Sequence, residues 1–95
     1  MTSKTRAKLR SLATAEQPIF QVGKDGVTDA VAAAVDDALS ARELVKLTVL
    51  KTAESPAVVL ETLSKRLHAE PITAIGNKIV LYRKSENEKA RHIEL

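Results

Sequence analysis

The chain has 95 residues, no cysteine, and a formal net charge of +3 from 15 Lys and Arg against 12 Asp and Glu. This length suits one small domain, and the absence of cysteine excludes disulfide frameworks, thiolate metal sites and cysteine nucleophiles. No apolar segment is long enough to span a bilayer and no secretory signal is visible, so we expect a cytoplasmic protein without a membrane partner.

The first predicted element is a basic helix over residues 3–14, with Ser3 as its N-cap. One apolar stripe at helical spacing comprises Leu9, Leu12 and Ala13. The cations that flank this stripe are Lys4, Arg6, Lys8 and Arg10. Because residues 1–10 contain no acid, the positive charge is concentrated here, which favours a polyanion and above all nucleic acid as the partner.

A short strand over residues 19–22 leads into the loop Gly23-Lys24-Asp25-Gly26 and then into a helix over residues 29–41, capped by Thr28. Two glycines allow another backbone to come close and permit positive φ. The helix start adds free N–H groups and a partial positive charge, so the junction is suited to hold phosphate. A plain turn is the alternative interpretation of an isolated G-x-x-G pair.

Two further apolar patterns and a hairpin complete the chain. Residues 44–50 alternate as a strand, with Val45, Leu47 and Val49 on one side and Lys46 and Thr48 on the other. Ser55-Pro56 begins a helix that runs to about residue 69. Strands over residues 72–75 and 79–82 are joined by Gly76-Asn77-Lys78. Residues 83–95 are mostly polar and predict a frayed tail.

The order of elements is α-β-α-β-α-β-β. It predicts an α/β (α+β) fold with a small four-stranded mixed sheet and three helices packed on it. We expect one domain over residues 1–84 and a charged C-terminal tail over residues 85–95. The strand order is not determined by the sequence.

Catalytic and cofactor patterns are missing from the sequence. His68 and His92 lie in different elements and have no carboxylate pair at ligand spacing, so we expect no metal. No nucleotide-binding or hydrolase motif is present, so we expect neither an enzyme nor a cofactor nor a small-molecule substrate. Phe20 and Tyr82 are the only aromatic residues, and Phe20 is expected in the core. Any nucleic acid would therefore be held by its backbone and its shape.

Three segments resemble the YhbY-like family, the single-domain bacterial members of the CRM (chloroplast RNA splicing and ribosome maturation) RNA-binding domains. They are residues 18–28, residues 43–47 (Glu-Leu-Val-Lys-Leu) and residues 75–83, which end in Tyr-Arg. The resemblance covers roughly residues 3–84. It implies a fold similar to the C-terminal domain of translation initiation factor three, a G-x-x-G loop similar to the KH loop, and association with precursors of the large ribosomal subunit.

By this resemblance Gly23, Lys24 and Gly26 form the phosphate-facing loop, while Asp25 places a carboxylate where it would repel a phosphate. The basic first helix extends the footprint, and the secondary candidates are Lys46, Lys78 and Arg83. The expected function is non-catalytic binding of RNA, ribosomal RNA in particular, during assembly of the large subunit. A protein-binding adaptor and a DNA-binding architectural domain remain as alternatives.

Overall fold

The computed structural model describes all residues from 1 to 95. Its helices and strands are α1 Ser3–Ala13, β1 Phe20–Val22, α2 Asp29–Arg42, β2 Leu44–Val49, α3 Pro56–Leu67, β3 Glu70–Ile75 and β4 Lys78–Tyr82. This is the predicted order, so the predicted fold class is confirmed. None of the three helices combines the length and the apolar character that crossing a bilayer requires.

The four strands form one mixed sheet in the order β1-β2-β4-β3. β1 is parallel to β2, and β4 is antiparallel to both of its neighbours. The crossovers through α2 and α3 explain this arrangement, since strands that run in the same direction need a long connection. The α3 crossover leaves a gap between β2 and β3, and the hairpin returns β4 into that gap.

One face of the sheet is covered by α2 and α3 and encloses the main core of 13 buried residues. The inward side chains of β2 are Val45, Leu47 and Val49, as predicted. α3 buries the apolar side that its helical spacing predicts, which comprises Val59, Leu60, Leu63 and Leu67. α2 is rotated slightly from the orientation that its helical spacing predicts, since Ala32 is buried while Ala34 of the predicted apolar side is partly exposed. That predicted side comprises Val31, Ala34, Val35, Ala38 and Leu39.

The other face carries α1 alone. Leu9 and Ala13 pack there against a small cluster formed by Leu44, Ile72, Val80 and Tyr82. Leu12 was predicted in the same stripe, but it is 41% exposed because its side of the helix faces away from the sheet. An 11-residue helix covers only part of this face, so the part nearest the end of β2 stays open.

Several predicted boundaries need correction. Thr2, not Ser3, caps α1, since its side chain accepts from the amide of Thr5. α3 ends at Leu67 because His68 adopts the left-handed conformation, and β3 begins at Glu70, before Pro71. Phe20 was expected in the core, but it lies on the edge strand β1 and is 38% exposed.

The C-terminal segment is held against the domain, so the expectation that it frays is wrong. Residues 83–95 contain no helix or strand, yet Ser85 is buried and Ile93 packs against the cluster under α1. The amide of Arg91 donates to the carbonyl of Ala41 at 2.8 Å. Division of the chain at residue 84 stays a prediction.

Glu43 anchors this segment. It follows α2 with φ at 66°, and it is 1% exposed. Its carboxylate accepts from the amides of Ser85 and Ile93, both at 2.7 Å, and lies 3.0 Å from His92 Nδ1. Burial by itself raises the pKa of a carboxyl group, but these hydrogen bonds outweigh it, so the pKa of Glu43 lies below its ordinary value of 4.5.

We expect Glu43→Gln to lower the free energy of unfolding at neutral pH by roughly 2 to 4 kcal/mol, because one donor then faces an amide NH₂ instead of an acceptor. A carboxyl with a depressed folded pKa stabilises above its unfolded pKa and loses this contribution as the pH falls through its folded pKa. The difference between wild type and variant should therefore shrink below pH 4.5. Urea unfolding of both proteins over a pH series measures this difference in the free energy of unfolding.

The matched control is Glu88→Gln, which neutralises an exposed carboxylate of the same C-terminal segment. It should leave the unfolding free energy unchanged within about 0.5 kcal/mol. Equal stability of wild type and Glu43→Gln at pH 7 would contradict the anchoring role.

Candidate nucleic-acid interface

The glycine loop, residues 23–26, lies at one end of the sheet directly after β1. β1 and β2 finish at this end and β4 begins there, so the loop after β2 and the hairpin turn share it. The amide of Val49 donates to the carbonyl of Asn77 at 2.7 Å and joins the turn to β2. Lys24, Lys51 and Lys78 therefore belong to the same end of the molecule.

The two loop glycines have different roles in the fold. Gly26 has φ at +67°, a conformation that side chains with a Cβ rarely adopt. Gly23 has no such φ, and a Cβ built on it would lie 3.7 Å from Leu50 Cδ1, an ordinary contact. The fold needs glycine at position 26 but not at position 23, where the missing side chain instead leaves the backbone accessible.

Free backbone donors surround the loop. The amide of Gly26 donates to the carbonyl of Gly23 at 2.9 Å and closes the turn. Thr28 caps α2 by accepting from the amide of Val31 at 3.1 Å. The amides of Lys24, Asp25, Val27 and the first two residues of α2 have no acceptor in the protein. These groups and the positive end of the α2 dipole are able to bind an anion.

Charged side chains around the loop are mixed in sign. Lys24 and Asp25 are both exposed. Asp25 does not cap α2, because Thr28 fills that position. Asp29, in the first turn of α2, pairs with Arg66 at 2.5 Å, and this guanidinium offsets its repulsion of an anion. Lys24 is therefore the cation best placed to support the free amides.

Three of the predicted cations meet on the open part of the sheet face. Arg10, Lys46 and Lys78 line one depression between the C-terminal half of α1 and strands β2, β4 and β3. The Lys46 ammonium donates to the carbonyl of Ala13 at 3.3 Å and satisfies the end of α1. The sequence predicted these residues in three separate elements; the β2–β4 pairing brings the two lysines together, and the packing of α1 on this face adds Arg10.

The cations of α1 are not equivalent. Arg6 donates to the carbonyl of Pro71 and pairs with Glu70 at 3.7 Å. Lys8 donates to the carbonyl of Glu94 at 2.6 Å. Lys4 and Arg10 are exposed and make no ion pair. Arg6 and Lys8 are thus partly engaged within the protein, whereas Lys4 and Arg10 are free.

Arg83 lies at the opposite end of the sheet from the glycine loop. Its guanidinium donates to Asp36 Oδ1 at 2.6 Å, to the carbonyls of Leu67 and Asp36 at 2.9 and 3.0 Å, and to Ser40 Oγ at 3.0 Å. These bonds join β4 to the ends of α2 and α3. The geometry favours a structural role for Arg83 over the predicted contact with RNA.

The histidines do not form a reactive site. His68 is an exposed residue that closes α3, and His92 contacts the Glu43 carboxylate. No group of three or more His, Cys, Asp or Glu side chains is arranged to hold a metal ion. The free donors and cations described above favour binding of an anionic polymer.

Sequence reasoning missed the uncharged residues that line the sheet depression. They are Ser11, Ala13, Thr14, Thr73, Ile75 and Val80. Period-two alternation in the hairpin places Thr73 and Ile75 on one face, as it does Lys78 and Val80. This alternation is visible in the sequence. Which face of the sheet these side chains share with Lys46, however, depends on the strand order.

Comparison with known proteins gives concordant matches. The CRS1 / YhbY (CRM) domain model matches residues 1–83. The "Probable RNA-binding protein YqeI" of Bacillus subtilis is 43% identical, and the alignment covers 94% of both chains. An "RNA-binding protein" of Haemophilus influenzae is 30% identical over 94% of this chain and 91% of its own length. A solution structure from Staphylococcus aureus, described as a candidate RNA-binding protein, has a TM-score of 0.81 and 38% identity over 99% of both chains.

We expect alanine substitutions to separate the two loop glycines. Gly26→Ala should lower the free energy of unfolding by roughly 1 to 2 kcal/mol, because alanine is strained at positive φ. Gly23→Ala should leave stability within about 0.5 kcal/mol of the wild type, since its Cβ has room. Chemical denaturation compares the two variants, and an equal loss in both would contradict the distinct roles.

Proposed function

The chain belongs to the CRS1 / YhbY (CRM) domain family, and from this membership we propose that it is a non-catalytic RNA-binding protein. The resemblance inferred from the sequence is thereby confirmed. The observation that carries the proposal is the loop at residues 23–28, where several backbone amides have no acceptor in the protein and Gly23 has no side chain that would block them.

In the proposed complex the glycine loop holds a sugar–phosphate backbone. Gly26 provides the positive φ that bends the chain, and Gly23 lets a phosphate come close to the amides. The free N–H groups at the start of α2 then donate to phosphate oxygens, and Lys24 adds a full positive charge. Contacts of this kind position an RNA but do not read its bases.

The cations outside the loop extend the proposed footprint. Arg10, Lys46 and Lys78 share the open sheet face, and Lys4 is free on α1. Arg6 and Lys8 contribute charge near α1 even though each also donates to a carbonyl of the protein. Selectivity would come from RNA shape, because few groups here are able to read base edges.

We further propose that the RNA is ribosomal and that the protein acts on precursors of the large subunit in the cytoplasm. This part of the proposal is supported by what the family resemblance implies. The free amides and Lys24 lie at one end of the sheet, and Arg10, Lys46 and Lys78 line its open face, so these groups are available to one extended ligand.

The adaptor alternative is weakened by one structural detail. Ile19, on the less apolar side of the first strand, would suit such a partner by its position in the sequence, but it packs against the main core and is only partly exposed. Leu12 on α1 is 41% exposed and is one apolar side chain that would suit a protein partner. The DNA-binding alternative shares the phosphate chemistry, and competition between structured RNA and duplex DNA distinguishes it.

We expect the double variant Lys24→Glu with Arg10→Glu to weaken binding of structured RNA by roughly tenfold or more at moderate salt. Both side chains are exposed and free of ion pairs, so thermal stability should change little. The slope of log affinity against log salt should become shallower by about 1.4, since each single-strand phosphate contact contributes about −0.7. Filter binding or fluorescence anisotropy over a salt series measures both effects.

The matched control is Lys84→Glu with Lys89→Glu. It makes the same change in net charge at two exposed lysines of the C-terminal segment. If both double variants lose affinity equally, the effect is one of total charge and the loop-centred interface is wrong.

The ribosomal part of the proposal is tested by gradient sedimentation of a cell lysate. We expect the wild type to co-migrate with large-subunit precursors and to be released at high salt, because phosphate contacts are screened. The variant Lys24→Glu with Arg10→Glu should stay near the top of the gradient, and the control Lys84→Glu with Lys89→Glu should migrate with the precursors. A wild type that binds RNA in vitro but never sediments with ribosomal particles would leave RNA binding in place and overturn the ribosomal assignment.

A further inference from the structure

We propose that the open part of the sheet face is a second RNA-binding site, which takes one unstacked nucleotide of an RNA held by the glycine loop. This inference rests on the proposed function. The site is the depression of about 420 Å³ between the C-terminal half of α1 and the β3–β4 hairpin, hereafter the sheet groove.

Strand register builds the floor of the sheet groove. Lys78 and Ile75 are register partners within the groove, and the same row continues through Thr48 to Gln21, which line the neighbouring depression beside β1. Lys46, Val80 and Thr73 form the adjacent row on the same face. The groove covers the two steps from β2 to β3, roughly 10 Å, and the row that continues to β1 leads from the groove toward the glycine loop.

The charge of the sheet groove selects an anionic ligand. Its charged lining residues are Arg10, Lys46 and Lys78, with no carboxylate among them. Elsewhere on the protein, three other depressions each contain two carboxylates, and a fourth contains no charged side chain. Although the whole chain has 12 acidic residues, none lines this groove.

The uncharged lining favours a nucleotide over an isolated phosphate. Ala13, Val80 and Ile75 provide apolar surface, and Ile75 is 70% exposed at the rim of the groove. Such an exposed side chain on a strand gains nothing from the core, but it offers a contact for the face of a base. Ser11 and Thr73 have no side-chain hydrogen bond to the protein, so their hydroxyls are free to meet a ribose 2′-OH or a base edge.

The position of the groove relative to the loop suits one continuous RNA strand. Gln21 is at the β1 end of the first row, only two residues before Gly23. A backbone held at residues 23–28 is therefore able to continue across the sheet toward Lys78 and Arg10. A base in a continuous duplex is stacked and paired, whereas a bulged or single-stranded base is free to turn into such a groove.

Two RNA hairpins of otherwise identical sequence test the inference, one fully paired and one with a single bulged uridine in the stem. We expect the wild type to bind the bulged hairpin roughly five- to tenfold more tightly, because only that RNA has a base to place in the groove. Ile75→Thr should remove most of this preference without weakening binding of the paired hairpin. Val58→Thr is the matched control, an exposed valine on α3 outside the groove, and it should behave as the wild type.

A photocrosslink supplies an independent readout. With 5-bromouridine at the bulge, the crosslinked peptides should fall within residues 10–14 or 73–80. Equal affinity for both hairpins, or crosslinks confined to another surface, would overturn the proposal that the sheet groove binds a nucleotide. If Lys24→Glu with Arg10→Glu still weakens binding in that case, the proposed function stands. A wild type that binds neither hairpin would overturn both.

Discussion

Five register pairs join β2 to β4, from Leu44 with Tyr82 to Thr48 with Lys78, and the relative positions of several candidate binding groups depend on them. This pairing places the hairpin turn beside the end of β2 and so beside the glycine loop. It also sets Lys46 next to Val80 on the open face. At its other end, the pairing brings Arg83 to Glu43, where the amide of Arg83 donates to the Glu43 carbonyl at 2.9 Å.

Some cationic side chains of the protein are held by bonds within the fold, and others are free to meet a ligand. Arg83 makes four hydrogen bonds that hold three elements together, and moving it to a ligand would leave Asp36 unpaired. Arg6 has a similar but more exposed arrangement with Glu70 and Pro71. Lys24 and Arg10 have no such partner. Counting basic residues along a sequence therefore overstates the surface that is free to meet an anion.

Two polar centres lie at opposite ends of the sheet, and they differ in whether their hydrogen-bonding groups have partners within the protein. At Glu43 a buried carboxylate collects donors from the C-terminal segment, and those donors keep it charged despite burial. Tyr82 lies near this carboxylate, and its own burial together with the negative charge of Glu43 raises the pKa of its hydroxyl. At the glycine loop, by contrast, the amides of Lys24, Asp25 and Val27 have no acceptor within the protein. The hydrogen-bonding groups of the first centre are satisfied within the fold, whereas the second centre leaves donors without a partner in the protein.

The sequence by itself determined the elements and the loop, since these are recorded in local patterns. Thr28 and Ser55 cap the helices that they were predicted to cap, and the period-two alternation of β2 identified its buried side. Only the tertiary structure decided the strand order, the partly uncovered face with its groove, and the packing of residues 83–95. These depend on which distant segments bury each other, as Glu43 does with Ser85 and Ile93, and no helical or strand period encodes that choice.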